Sequence, residues 1–167
     1  LCFFHFLEFY ITARYNTPQA TISAFLLSSN GWAYNAAHGS AIVECLVSHY
    51  LYLGKQHGRV QLAIGLVWMA VGQGIRSLGM AQAAGNFNHI VQVERREGRV
   101  LVQHGVYGVL RHPSYFGFFW WGLGTQLMLG NVVCLAVYAI VLWRFFYRRI
   151  NSKSPGSPWS SHFLITF

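Results

Sequence analysis

The apolar residues of this chain fall into five blocks separated by more polar connections. The blocks cover residues 1–13, 31–53, 60–84, 115–129 and 132–147. A helix needs about 20 mostly apolar residues to cross a membrane, and 31–53 and 60–84 meet that length. The first block is short, so we expect it to be the end of a span whose beginning is missing. The pattern predicts an all-α, polytopic membrane protein with about five transmembrane helical segments.

The last two blocks belong to one uncharged stretch, 112–143, which is too long for a single span. At about 1.5 Å per residue, a straight helix of that length would overshoot a hydrocarbon core of about 30 Å. Gly130-Asn131 in its middle is a turn signal. The sequence therefore predicts a C-terminal helical hairpin over 112–147.

Two segments do not fit the spanning pattern. Residues 85–111 carry a dense set of charges, including "ERREGR", and are too polar to lie in hydrocarbon. Residues 150–167, "INSKSPGSPWSSHFLITF", are rich in Ser, Pro and Gly, without helical periodicity. We predict a membrane domain over 1–149, with 85–111 as a loop outside the bilayer, and a divergent, disordered tail over 150–167.

Charge changes this picture by giving it an orientation. Only 10% of the residues are charged, compared with about 25% in soluble domains, and the formal net charge is +8. The basic residues cluster at the ends of the apolar blocks, which indicates membrane topology rather than nucleic-acid binding. Most of them lie on the side of the 85–111 loop and the hairpin ends. We expect that side to face the cytosol.

The cysteines and histidines do not indicate a metal. Cys2, Cys45 and Cys134 lack CxxC spacing, and the later histidines lack the spacing of zinc ligands. We therefore expect no metal site.

Polar side chains converge where the hairpin begins and ends. They come from the loop before it, from Arg111-His112-Pro113-Ser114-Tyr115, and from Arg144, Arg148 and Arg149. A proline in the first turn fixes the backbone where a helix starts. The free N–H groups of that turn suit a carboxylate, and tyrosine rings suit a cation or a purine. The simpler interpretation is that these arginines and aromatic residues only set topology and anchor the spans.

The order of these residues resembles a known signature. "GVYGVLRHPSYFG" is similar to the GxYxxxRHPxYxG motif of integral-membrane methyltransferases. The upstream "GNFNHIVQVERREGRVLVQHGVY" and the downstream "GTQLMLGNVVCLAVYAIVLWRFF" narrow the resemblance to the isoprenylcysteine carboxyl methyltransferase family. The early "FFHFLEFYITARYN" also resembles a span of that family.

The resemblance implies a multi-span enzyme of the endoplasmic reticulum membrane, with its active site facing the cytosol. Such enzymes use S-adenosylmethionine to methylate the C-terminal prenylcysteine carboxylate of prenylated CaaX-type proteins, such as small GTPases. Membrane lipid is their other expected partner. By the resemblance, Arg149 is the catalytic residue that binds the substrate carboxylate. The positions that match cofactor-binding residues of the family are Gln92, Arg99, Val100, Leu101, Val102, Tyr107, His112, Pro113, Ser114 and Tyr115.

The resemblance ends after Arg149. Family members continue with an acidic Glu-Glu-x-x-L run, whereas this chain places Lys153 at the position of the acid. We expect the chain to be truncated at both ends relative to the family. Two alternatives therefore stay open: a phospholipid N-methyltransferase with the same RHPxYxG site, and a catalytically inactive, truncated membrane product. The upstream "FNHIVQ" favours the prenylcysteine enzyme over the first alternative.

Overall fold

A computed structural model describes residues 1–26, 30–51, 58–87 and 102–151 of the chain, and every regular element in them is helical. The long helices are α1 (Cys2–Tyr15), α2 (Trp32–Leu51), α3 (Arg59–Ala83), α4 (Pro113–Leu129) and α5 (Val132–Asn151). Short 3-10 turns cover Thr17–Gln19, Ile22–Phe25, Ala84–Asn86 and Gly105–Gly108. The predicted all-α class is confirmed, and each long helix begins within two residues of its predicted block. The predicted tail beyond residue 151 lies outside the described residues.

In the described part of the chain, one helix is long and apolar enough to cross a membrane. It is α3 with its following turn, Arg59–Asn86, in which an 18-residue window has a mean hydropathy of 1.3. The number of spans, about five, therefore stays a prediction. Large apolar side chains nevertheless face outward along α2, α3 and α5, among them Ile42, Leu46, Leu66, Val67, Ile140 and Val141.

Helices α3 and α4 pack at very short range because glycines line the contact. Gly65, Gly72 and Gly79 recur every seven residues along α3 and meet the backbone or the first turn of α4. A Cβ at Gly72 would lie 2.6 Å from the carbonyl oxygen of Gly117. Small residues at such contacts are typical of membrane helices. Gly74, on the same helix, takes no part in this contact, since a Cβ there would meet nothing within 4 Å.

The predicted hairpin turn is confirmed. Gly130 ends α4 in the left-handed region, with φ at 72°, a conformation that glycine adopts without steric cost. The Asn131 amide N–H then donates to the Gln126 carbonyl at 3.0 Å. Helix α5 starts directly after this turn and runs back along α4.

The hairpin is clamped to α2 at its turn end. The side-chain amide of Asn131, which is buried, donates to the Ala41 carbonyl at 2.9 Å. The Glu44 carboxylate accepts the backbone N–H groups of Val133 and Cys134 at 2.9 and 2.7 Å. An acidic side chain placed against the first turn of another helix satisfies N–H groups that have no partner within that helix. Helix α2 is thus held antiparallel to α5.

Candidate active site

The start of α4 lies at the centre of the site. The His112 carbonyl accepts the N–H groups of Tyr115 and Phe116, both at 3.0 Å, so His112 is the residue that caps the helix. Pro113 occupies the first helical turn, as predicted, and is buried against Gly79 of α3. The proline ring therefore fixes both the direction of α4 and its contact with α3.

Ser114 is tied to a buried ion pair formed by two other helices. The Arg76 guanidinium of α3 donates from Nη1 to the Ser114 carbonyl at 3.1 Å and to its hydroxyl at 2.9 Å. Its Nε and Nη2 donate to the two carboxylate oxygens of Glu8 on α1, at 2.5 and 2.8 Å. The Glu8 side chain is 0% exposed and the Arg76 side chain 7%. One guanidinium thus joins α1, α3 and the first turn of α4.

Sequence reasoning did not single out Arg76 as a functional residue. A signal was present, because an arginine within an otherwise apolar block is rare and usually faces protein or a polar cavity. Glu8, the partner of Arg76, lies in the first block, in the segment that resembles a span of the family.

The far end of the hairpin returns to the same place. Arg149 Nε donates to the Tyr115 hydroxyl at 3.1 Å, and the guanidinium carbon lies 5.5 Å from the centre of the Phe145 ring. The Tyr115 ring is stacked between His112, at 5.6 Å, and Phe146, at 4.9 Å. The structure therefore brings His112, Tyr115 and Arg149 together. Arg144 and Arg148 are exposed instead.

Tyr107 lies on the α3 side of this site. Its hydroxyl donates to the Gly79 carbonyl at 3.0 Å. Burial raises the pKa of Tyr107, and the nearby Tyr115 raises it to a smaller extent. The phenol thus stays neutral and holds its ring against α3. Val102 is half-buried at the start of the last described segment. Gln92, Arg99, Val100 and Leu101 lie outside the described residues, so their cofactor role stays a prediction.

A cavity of about 300 Å³ opens beside these residues, between α2, α4 and α5. Arg149, Tyr115, Ser114 and Arg76 contribute to its polar end. Its walls are mainly apolar and include Ala33, Ala37, Phe118, Val137, Val141 and Leu142. A site with an arginine at one end and apolar walls fits an elongated apolar molecule with an anionic head.

The chain is similar to known proteins of one family. Residues 63–154 match the model of the Isoprenylcysteine carboxyl methyltransferase (ICMT) family. The Protein-S-isoprenylcysteine O-methyltransferase of Saccharomyces cerevisiae is 45% identical over 90% of this chain and 65% of its own length. The Schizosaccharomyces pombe protein of that name is 39% identical over 92% and 70%, and the human one 36% identical over 92% and 54%. The chain thus spans between 54% and 70% of the length of these relatives.

A solved structure is similar as well. The eukaryotic intramembrane Ras methyltransferase ICMT superimposes with a TM-score of 0.85 at 36% sequence identity, covering 89% of this chain and 53% of that chain.

Proposed function

The chain belongs to the isoprenylcysteine carboxyl methyltransferase family, and on that premise we propose that it catalyses methyl esterification of a C-terminal prenylcysteine carboxylate. The methyl donor in this proposal is S-adenosylmethionine. The substrates are prenylated CaaX-type proteins, of which small GTPases are one class.

One observation carries the proposal: Arg149 stands at the polar end of a largely apolar cavity. A prenylcysteine has a charged carboxylate at one end and an isoprenoid chain at the other, so its two parts match the two parts of the cavity. The Tyr115 hydroxyl orients the Arg149 guanidinium through Nε. An oriented guanidinium binds a carboxylate through charge-assisted hydrogen bonds and holds it in one plane.

The residues at the start of α4 fit the proposed cofactor. S-adenosylmethionine supplies a methyl group on a positively charged sulfonium. His112 and Tyr115 present stacked rings, which suit a cation or a purine, and the first turn of α4 suits a carboxylate. His112, Pro113, Ser114, Tyr115 and Tyr107 would hold this group, together with the predicted loop positions.

The reaction then needs alignment more than acid–base chemistry. A prenylcysteine carboxylate is already ionised at neutral pH, so no general base is required. Arg149 fixes the carboxylate, and the apolar walls fix the chain behind it. Placing nucleophile and methyl group in line converts the transfer into an effectively intramolecular step.

The surroundings are proposed to be the endoplasmic reticulum membrane, with the site facing the cytosol. The outward apolar faces of α2, α3 and α5 suit lipid contact. Arg111, Arg144 and Arg148 are exposed at the same end as Arg149, and positive charge favours the cytosolic side.

The test is methyl transfer by the purified chain in lipid nanodiscs. Radiolabelled S-adenosylmethionine and N-acetyl-S-farnesylcysteine should give a base-labile methyl ester. Arg149→Ala should lower kcat/KM by roughly a hundredfold, because it removes one partner of a hydrogen-bonded charge pair. Arg148→Ala is the matched control and should leave turnover unchanged, since Arg148 is exposed.

A variant with a family-type sequence from residue 150 onward tests whether the divergent tail prevents methyl transfer. The proposal is wrong if neither this version nor the chain itself transfers a methyl group to the prenylcysteine.

A further inference from the structure

A glutamine near the end of α3 holds the turn that carries Tyr107. The Val106 N–H, in the 3-10 turn Gly105–Gly108, donates to Oε1 of Gln82 at 2.9 Å. The first N–H groups of a helical turn have no partner within that turn. The side chain of His104, which precedes the turn, makes no capping bond to it among the described residues. Gln82 therefore caps this turn from another helix.

Gly105 makes room for the contact. Its backbone is in the left-handed region, with φ at 61°, a conformation that glycine adopts without steric cost. A Cβ on Gly105 would lie 2.6 Å from Cδ of Gln82. Any side chain at position 105 would therefore move the Gln82 amide away from the Val106 N–H, or move the turn itself.

The turn is fastened to α3 at a second point. The Tyr107 hydroxyl donates to the Gly79 carbonyl at 3.0 Å, and Gly79 and Gln82 are about 4.5 Å apart along the helix axis. Gly79 also packs against the start of α4, since a Cβ there would lie 3.1 Å from Cγ of Pro113. Two attachments fix the direction of the Tyr107 ring relative to α4, whereas a single attachment would let the turn pivot.

We propose that Gln82 is a positioning residue for the methyl donor, because it keeps the Tyr107 ring beside the first turn of α4. This inference rests on the proposed function, in which Tyr107 and His112 contribute to the cofactor site. Gln82 acts through Tyr107 and not by contact with the donor. A ring that has lost its fixed direction meets the donor in only a fraction of its positions, so the apparent affinity for the donor falls by that fraction.

The experiment measures equilibrium binding of radiolabelled S-adenosylmethionine to the purified chain in nanodiscs. Gln82→Met keeps the length of the side chain and removes the acceptor. It should raise the Kd for S-adenosylmethionine by about tenfold, since the Val106 N–H loses its hydrogen bond. Gln82→Glu keeps an acceptor oxygen and should stay within about twofold of the unmodified chain. The affinity for N-acetyl-S-farnesylcysteine should change in neither variant, because Arg149 is oriented by Tyr115 instead.

Gln61→Met is the matched control. Gln61 lies on the same helix, and its side chain also bonds to a backbone group, the Leu127 carbonyl, at 2.9 Å. It is about 30 Å from Gln82 along α3. Gln61→Met and Gln82→Met should lower the midpoint of thermal unfolding by similar amounts, but Gln61→Met should leave the Kd for S-adenosylmethionine unchanged.

A double variant tests the route through Tyr107. In the Tyr107→Ala background the ring is absent, so nothing remains for Gln82 to position. Adding Gln82→Met to that background should therefore change the Kd for S-adenosylmethionine by less than about twofold.

Three results would overturn the inference while leaving the proposed function intact. They are an unchanged Kd in Gln82→Met, an equal weakening in Gln61→Met, and a full additional loss in the Tyr107→Ala background. If Gln82→Met does not fold, Gly105→Ala decides, because its Cβ displaces the Gln82 amide. It should weaken binding by a similar factor, and an unchanged Kd would overturn the inference.

The failure of the proposed function gives a different result. If neither the chain itself nor the variant with a family-type sequence from residue 150 onward binds S-adenosylmethionine, the proposed cofactor is wrong and this inference falls with it.

Discussion

Replacing Glu8 by glutamine should destabilise the protein by about 3–5 kcal/mol, since it leaves a buried guanidinium without its counter-charge. The Glu8 carboxylate is fully buried and meets Arg76 through two hydrogen bonds of 2.5 and 2.8 Å. Two unit charges about 4 Å apart attract by about 4 kcal/mol at an effective dielectric constant of 20. A guanidinium cannot lose its proton to escape the penalty. Its position 5.6 and 5.2 Å from the Phe4 and Phe118 rings recovers only part of the loss.

A double-mutant cycle isolates this pair. Glu8→Gln, Arg76→Gln and the double variant are unfolded reversibly in bicelles, and the free energies of unfolding are compared. We expect the double variant to lose about 3 kcal/mol less than the sum of the single variants. The matched control is the cycle of Glu8→Gln with Arg14→Gln. Arg14 is exposed in the last turn of the same helix, so these changes should add to within about 0.5 kcal/mol.

The reasoning is refuted if the Glu8–Arg76 cycle is additive like its control. Glu8 and Arg76 would then contribute no coupling, and α1 would be held by its apolar contacts alone. A loss below about 1 kcal/mol in Glu8→Gln would lead to the same conclusion.

Gly72→Ala should lower the free energy of unfolding by more than about 2 kcal/mol, because its Cβ would overlap the α4 backbone. Gly74→Ala should be neutral or stabilising, and thermal unfolding of both variants measures the difference. Glu44→Ala should cost about 1–2 kcal/mol of unfolding free energy, since it removes the acceptor of the Cys134 N–H, and a loss under a few tenths would contradict a capping role. A cysteine placed at position 97 should react with a membrane-impermeant maleimide from the cytosolic side, and labelling only from the lumen would reverse the proposed topology.

The helices were predictable because their signals are local. A block of apolar residues, a proline at a helix start or a Gly-Asn pair at a turn acts over a few positions, whatever lies elsewhere in the chain. Pro113 therefore begins α4 and Gly130 ends it, close to the predicted bounds. The meeting of Arg149 with the start of α4 followed from the hairpin, since a hairpin returns its two ends to one side.

The buried ion pair and the cavity were not predictable, because both depend on contacts between distant segments. Glu8 and Arg76 are 68 positions apart, and no local pattern states that they meet. The glycines of α3 illustrate the same point. Gly74 is a glycine like Gly72, but it lies on the opposite side of the helix and does not contact α4. Which face of a helix meets a neighbour is decided by tertiary packing. The positions of glycines within an apolar block do not by themselves identify that face.

The contiguity of the RHPSY motif has a geometric explanation. Successive residues of a helix point about 100° apart, so three neighbours in one turn can contact three different partners. Pro113 packs on Gly79, Ser114 accepts a hydrogen bond from Arg76, and Tyr115 accepts one from Arg149. Spacing these residues by three or four positions would place them on one face and lose two of the contacts. Because these three residues are contiguous, the first turn of α4 contacts Gly79 of α3, the buried Arg76 and Arg149 of α5 at once.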